Sequence, residues 1–141
     1  MTRFVLEGFL PYQLAVAAER VSREFARTHQ KRFGISIPEW RVLAYLSRVD
    51  AVSVREIHAR VEMDKSKISR AASRLEAAGY VSKQVNNGDR RLVELSLTEA
   101  GRALVDKVLP EAMTYEARVM DELGDHGEAF RAALAVLTTL R

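Results

Sequence analysis

Apolar residues recur every three or four positions from Leu10 to about Phe33, and this spacing predicts one long amphipathic helix. Pro11 suits the first turn of that helix, where a missing backbone N–H costs nothing. Gly34 suits its end, because glycine readily adopts the left-handed conformation that closes a helix. The apolar side of this helix is formed by Leu14, Ala17, Ala18, Val21 and Phe25.

Two serine–glutamate pairs mark the starts of the next two helices. Ser36 and Glu39 stand three residues apart, as do Ser53 and Glu56, which is the spacing of a capping box. Apolar residues follow each pair at helical spacing. The pattern therefore predicts a second helix after Ser36 and a short third helix after Ser53.

A fourth helix is predicted from Asp64, a candidate N-cap, to Ala78, with Gly79 as the residue that ends it. With successive residues about 100° apart, an apolar stripe lies opposite a face of basic and hydroxyl side chains. The stripe consists of Ile68, Ala71, Ala72 and Leu75. The opposite face is centred on Ser66, Arg70, Ser73 and Ala77 and flanked by Lys67, Ser69 and Arg74.

Two short alternating segments, residues 80–85 and 92–97, predict a β-hairpin whose loop contains Asn86, Asn87 and Gly88. Thr98 then begins a long helix to about Leu123, which Pro110 is expected to bend, and a last helix follows residues 124–127. The order of elements predicts a mainly α (α+β) fold. It is a winged helix-turn-helix with a two-stranded wing, flanked by terminal helices.

Composition narrows the class of protein. The 141 residues correspond to a single domain, and the absence of cysteine excludes disulfides and suits a reducing cytoplasm. No signal peptide or membrane-spanning segment is evident, so we expect a soluble cytoplasmic protein. Residues 51–92 hold nine basic and five acidic side chains, whereas the remainder holds 13 basic and 14 acidic ones. The middle of the chain therefore has the charge expected of a region that meets a polyanion.

The polar face of the fourth helix is the strongest candidate for that contact. The DNA major groove accepts a helix on which arginine reads guanine edges and small hydroxyls permit close approach. An ordinary solvated face would contain glutamates, but Glu76 is the only acid after the cap. The residues predicted to bind DNA here are Ser66, Lys67, Ser69, Arg70, Ser73 and Arg74.

The hairpin tip carries Asp89, Arg90 and Arg91. A wing beside a helix in the major groove can reach the flanking minor groove, where an arginine meets concentrated negative potential. We assign Arg91 to that groove, Arg90 to phosphate and Asp89 to orienting Arg91, although turn geometry also allows the two arginines to exchange roles.

These residues resemble the MarR family of bacterial transcriptional regulators. The wing pattern D-x-R at Asp89 and Arg91 is followed by L-T-x-x-G from Leu97 to Gly101, and the resemblance extends over nearly the whole chain. It implies a homodimer joined through residues 1–34 and 99–141, with residues 35–98 as the DNA-binding lobe. It also implies a pseudo-palindromic operator and release by a small aromatic or phenolic ligand.

Two positions depart from the family pattern: His58 replaces a small residue and Glu62 replaces a glycine of the helix-helix turn. His58 is interpreted as a tolerated rim residue, with a phosphate contact and altered packing as the alternatives. The resemblance places a ligand between the dimerisation helices and the DNA-binding lobe. The candidates to bind it are Tyr12, His29, Trp40, Arg41 and Tyr45, although packing and ion pairing also explain several of them.

Other classes of function are weakly supported. The sequence has no phosphate-binding glycine loop, no H-E-x-x-H and no cysteine nucleophile, so we expect no enzyme and no metal or other cofactor. Asp125, His126 and Glu128 are more simply explained as a loop at a helix start. A dimeric winged-helix adaptor that contacts only proteins is the remaining alternative, and salt-dependent DNA binding would distinguish it.

The wing hypothesis predicts the sign of one substitution. If Asp89 orients Arg91, Asp89→Ala should weaken binding about two- to fivefold, as for loss of one exposed ion pair. Removal of an acid near DNA would instead tighten binding if only net charge mattered. Titration at fixed salt against a duplex that the protein selects from a random-sequence library measures the effect. Tighter binding by the variant would exclude the orienting role.

Overall fold

The computed structural model describes residues 3–85, 88 and 93–140, so Asp89, Arg90 and Arg91 of the predicted wing tip lie outside the described residues. The helices are α1 (Leu10–Phe33), α2 (Ile37–Leu46), α3 (Val54–Arg60), α4 (Lys65–Ala77), α5 (Glu99–Leu123) and α6 (Gly127–Leu137). The strands are β1 (Val52–Ser53), β2 (Val81–Val85) and β3 (Val93–Leu97), and short 3₁₀ turns occupy Leu6–Gly8 and Gly124–His126. The chain divides into two compact units, Met1–Val108 and Leu109–Arg141.

The first unit confirms the predicted order of a winged helix-turn-helix. Helix α4 packs against α2 and α3, and its predicted apolar stripe is buried without exception. Alanine at positions 71 and 72 permits a close approach between helices, because a methyl group adds little thickness to the contact. Val42, Leu43 and Leu46 of α2 are fully buried in the same core.

The sheet has three antiparallel strands in the order β1-β3-β2, so the prediction of two strands was incomplete. Strands β2 and β3 pair from Val81↔Leu97 to Val85↔Val93, as the hairpin required. The missing strand is β1, in which Val52 pairs with Leu95. Two residues are too few to display an alternating pattern, and only the neighbouring β3 gives this segment its strand conformation.

The predicted helix caps are only partly confirmed. The hydroxyl oxygen of Ser36 accepts from the N–H of Glu39 at 3.3 Å, and that of Ser53 accepts from the N–H of Glu56 at 3.2 Å. Asp64 occupies the N-cap position of α4 in an extended conformation, but its side chain makes no capping hydrogen bond. The expectation that Asp64 caps α4 through its carboxylate was therefore wrong.

The start of α5 is held tightly against the end of α4. Thr98 Oγ1 accepts from the N–H of Gly101 at 3.0 Å and donates to the carbonyl of Gly79 at 2.6 Å. The N–H of Thr98 also donates to the carbonyl of Tyr80 at 3.1 Å. Gly79 has a φ of 86°, the left-handed conformation expected of the residue that ends α4.

Helix α5 continues through Pro110 to Leu123, so this proline lies inside the helix and does not end it. In the second unit Arg131 of α6 forms an ion pair with Glu116 of α5 at 3.4 Å. Several large apolar side chains of this unit are exposed: Leu109, Met113, Phe130, Leu134, Val136 and Leu140.

Gly101 provides a test of the contact between α5 and the end of α4. A Cβ atom at this position would lie 2.1 Å from the carbonyl oxygen of Tyr80, and backbone cannot rotate away as a side chain can. Gly101→Ala should therefore lower the free energy of unfolding by about 1–3 kcal/mol, despite the better helix propensity of alanine. Urea denaturation measures the change. Gly8→Ala is the control, because a Cβ atom there meets nothing within 4 Å, and equal stability of both variants would contradict the prediction.

Candidate nucleic-acid interface

The outward face of α4 is exposed as predicted. Burial of the opposite stripe in the core orients the helix, so all six predicted side chains of α4 reach the surface. Along the 13 residues of this helix Glu76 is the only acid. The face therefore offers three cations and several small hydroxyls, although DNA contact by each of these residues stays a prediction. The exposed residues are Ser66, Lys67, Ser69, Arg70, Ser73 and Arg74.

His58 connects α3 to the turn that precedes α4. Its ring is exposed, and Nδ1 lies 2.8 Å from the carbonyl oxygen of Met63. Because a carbonyl only accepts hydrogen bonds, Nδ1 carries the proton and donates. The exposure agrees with a rim residue, and the hydrogen bond adds a role in closing the turn that the sequence did not reveal. A phosphate contact by His58 stays a prediction, and Glu62 is exposed in the same turn.

Two open depressions adjoin the start of α4. The larger, of about 510 Å³, lies where Arg41, His58 and Lys67 meet the acids Glu62 and Asp64. The smaller, of about 260 Å³, lies between α2 and α4, and Lys67, Arg70 and Arg74 line it together with Ser36 and Glu39. The basic side chains of α4 therefore border the first turn of α2, where the acid Glu39 partly offsets their charge.

Lys83 of β2 belongs to this surface and was missed from the sequence. Its ammonium group donates to Ser73 Oγ at 3.1 Å and lies 3.6 Å from a carboxylate oxygen of Glu76. A lysine within a strand gives no signal of this contact. The isolated acid on the otherwise basic helix was the available clue, because Glu76 pairs with a cation from another element. We refer to Lys83, Ser73 and Glu76 as the Lys83 bridge.

The predicted ligand-binding residues separate into different environments. His29 is buried, its Nδ1 lies 3.1 Å from the carbonyl oxygen of Phe25, and its ring centroid lies 5.9 Å from that of the half-buried Trp40. Phe25 and Phe33 complete this aromatic cluster. The structure thus brings together His29 and Trp40 of the five candidates.

The other three candidates have different surroundings. Tyr12 is 17 residues before His29 on α1, about 25 Å along the helix axis. Arg41 follows Trp40 but points about 100° away from it and lines the depression beside His58. The guanidinium of Arg48 lies 5.5 Å from the ring centroid of Tyr45, which packs against the core. Arg41 and Trp40 therefore face different surroundings within a single chain.

Residues 3–85, 88 and 93–140 contain no group of three histidine, aspartate or glutamate side chains that could hold a metal ion. Within the same residues no helix combines the length and apolar character needed to cross a bilayer.

The sequence profile of the MarR family matches residues 33–92. The HTH-type transcriptional repressor MdtR of Bacillus subtilis (strain 168) is 30% identical over 123 residues, covering 86% of this chain and 78% of MdtR. The crystal structure of a MarR family transcriptional regulator from Silicibacter pomeroyi DSS-3 is 31% identical with a TM-score of 0.77, covering 96% of this chain and 99% of that one.

Two further structures share the fold at lower identity. Bordetella bronchiseptica BpsR, whose DNA binding is regulated by 6-hydroxynicotinic acid, has a TM-score of 0.90 at 21% identity and covers 99% of this chain and 100% of its own. The transcriptional repressor CouR, bound to a 23-mer DNA duplex, has a TM-score of 0.85 at 24% identity, covering 97% of this chain and 99% of its own.

Proposed function

Because the chain belongs to the MarR family of transcriptional regulators, we propose that it is a repressor that binds a pseudo-palindromic DNA operator as a homodimer. A small aromatic or phenolic ligand would release it. Residues 35–98 would form the DNA-binding lobe, and residues 1–34 and 99–141 the dimerisation region. MarR family regulators are non-enzymatic transcription factors. The proposed role places the protein in the cytoplasm, with the chromosome.

The outward face of α4 is the observation that carries the proposal. Its cations project from a helix whose other side is locked into the core, so the face is preorganised before DNA is met. Arg70 lies at its centre, where a guanidinium can donate two hydrogen bonds to one guanine. Lys67 and Arg74 flank it and suit phosphate, while Ser66, Ser69 and Ser73 leave room for base edges.

Exposed apolar side chains support the homodimer. Phe4 is 69% exposed and Leu140 is 72% exposed, at opposite ends of the chain, and Leu10 and Met113 are also exposed. Apolar surface of this kind marks an interface, and two-fold pairing covers the same residues on both copies. Each chain has one α4, so a dimer presents two reading helices to two half-sites.

Regulation by a ligand is supported by the effect of 6-hydroxynicotinic acid on BpsR and by the aromatic cluster that α1 and α2 form. Trp40 is half-buried and lies beside the buried His29, so an aromatic molecule could stack at the edge of this cluster. Release of a bound duplex by hydroxylated aromatic acids, with 6-hydroxynicotinic acid as the first probe, tests this part of the proposal.

The adaptor alternative has less support. A protein-binding face normally presents aromatic or large aliphatic side chains at its centre. The face of α4 has none, and CouR carries DNA on the same fold. If a properly folded dimer binds no DNA duplex at low salt, the adaptor role is favoured.

The proposed homodimer predicts the mass of the protein in solution. Sedimentation equilibrium at micromolar concentration should give twice the 15.9 kDa mass of the chain. On DNA the recognition helices should be about one helical turn, roughly 34 Å, apart. Leu140→Glu should shift the equilibrium toward monomer, because the carboxylate would be buried at the interface. Val85→Glu, at a similarly exposed position of β2, should remain dimeric. A monomer for the unsubstituted protein would refute the dimer.

Substitutions on α4 separate base reading from phosphate binding. Arg70→Ala should cost about 1–3 kcal/mol on a duplex that the protein selects from a random-sequence library, and relax preference at one position per half-site. Lys67→Ala should weaken selected and scrambled duplexes alike and reduce the salt slope by about 0.9 for each phosphate that the lysine neutralises. Lys107→Ala is the control, because it removes an exposed cation of α5 and should leave binding to both duplexes nearly unchanged. Equal losses on both duplexes for Arg70→Ala would show that Arg70 does not read bases.

A further inference from the structure

The β2–β3 hairpin is attached to α4 at two separate places. The first is the junction at Gly79, where Thr98 donates to the carbonyl of Gly79 and Gly101 packs against Tyr80. The second is the Lys83 bridge, which joins β2 to Ser73 and Glu76 on α4. The two attachments lie at different distances along both elements, and this separation gives the bridge its mechanical effect.

The junction, the helix and the strand form the sides of a triangle. Ser73 precedes Gly79 by six residues, about 9 Å along the helix, and Lys83 follows it by four, about 13 Å along an extended strand. The Lys83 side chain closes the third side. Burial of Val81, Leu95 and Leu97 holds the inner part of the hairpin in the core, and the closed triangle resists bending of its outer part against α4.

We propose that Lys83 is a positioning residue that sets the angle between the wing and the recognition helix α4 before DNA is bound. The inference rests on the proposed DNA-binding function for its consequence, but the geometry it concerns exists in the free protein. Lys83 is half-buried, while Gln84 and Val85 beyond it are exposed. The bridge therefore lies at the last point of β2 that packs against the rest of the unit.

Substitution of Glu76 distinguishes this role of Lys83 from direct binding of phosphate. If Lys83 acts only as a cation toward DNA, Glu76 reduces its effect, and loss of Glu76 should tighten binding. If Lys83 acts through the bridge, loss of Glu76 releases the ammonium group and should weaken binding. Loss of Glu76 should therefore tighten DNA binding if Glu76 only repels DNA, and weaken DNA binding if Glu76 positions Lys83.

Binding measurements use Glu76→Ala, Lys83→Met and the double variant, with the duplex that the wild-type protein selects from a random-sequence library. Each single variant should weaken binding about two- to fivefold, as expected for a partly exposed ion pair. The double variant should bind DNA no more weakly than the weaker-binding of the two single variants, because either substitution already breaks the same bridge. The salt slope of Glu76→Ala should equal that of the wild type.

Matched controls account for the change in net charge. Glu62→Ala removes an exposed acid from the α3–α4 turn without touching the bridge, and should leave binding unchanged or tighten it. Lys107→Met removes an exposed cation from α5, and should leave binding nearly unchanged. Tighter binding by Glu76→Ala would overturn the positioning role. A salt slope lowered by Lys83→Met but not by Glu76→Ala would also overturn it, if the losses of affinity of the two single variants add up in the double variant.

A distance measurement tests the inference without DNA. The chain has no cysteine, so Lys65→Cys on α4 and Val85→Cys on β2 place two spin labels at unique exposed sites. Dilution with unlabelled protein removes distances between chains of a dimer. Lys83→Met should broaden the distance distribution, and Lys107→Met should not.

The distance measurement and the binding measurement distinguish failure of this inference from failure of the proposed function. An unbroadened distribution for Lys83→Met overturns the inference, even if the protein binds DNA as proposed. A broadened distribution for Lys83→Met, together with failure of the wild-type protein to bind any duplex, supports the bridge and overturns the proposed function.

Discussion

Burial of one side of α4 is the constraint on which the rest of the first unit depends. Ile68, Leu75 and the two alanines between them are buried, and α4 contacts both α2 and α3. Rotation of α4 by one residue, about 100°, would expose this stripe and bury basic side chains. The cost of burying unpaired charge keeps the helix in one orientation. The basic face is therefore defined by the core behind it.

The sheet extends this orientation to the wing. Strand β3 lies between β1 and β2, and Leu95 and Leu97 bury their side chains in the core that holds α4. Thr98 and Gly101 then tie the first turn of α5 to the backbone at the end of α4. The pattern L-T-x-x-G thus has a structural explanation: threonine supplies a donor and an acceptor, and glycine leaves space for the carbonyl of Tyr80.

Charge and apolar surface are separated along the chain. The cations of α4 lie next to the start of α2, whereas exposed apolar residues concentrate near Phe4 and near Leu140. The proposed operator and the proposed second chain require these different chemistries, and the separation supplies a different surface for each. His58 fastens the turn before α4 through its hydrogen bond to the carbonyl of Met63.

Local chemistry determined most of the secondary structure from the sequence alone. The serine caps at Ser36 and Ser53, the left-handed glycine at position 79 and the period of α4 depend on neighbouring residues, so their signals are contained in short segments. Tertiary structure decided the features that need two distant segments. Strand β1 exists because β3 pairs with it, and His29 and Trp40 meet although 11 positions separate them. The Lys83 bridge belongs to this second group, because no pattern within β2 or α4 specifies which side chain of the other element its polar groups will reach.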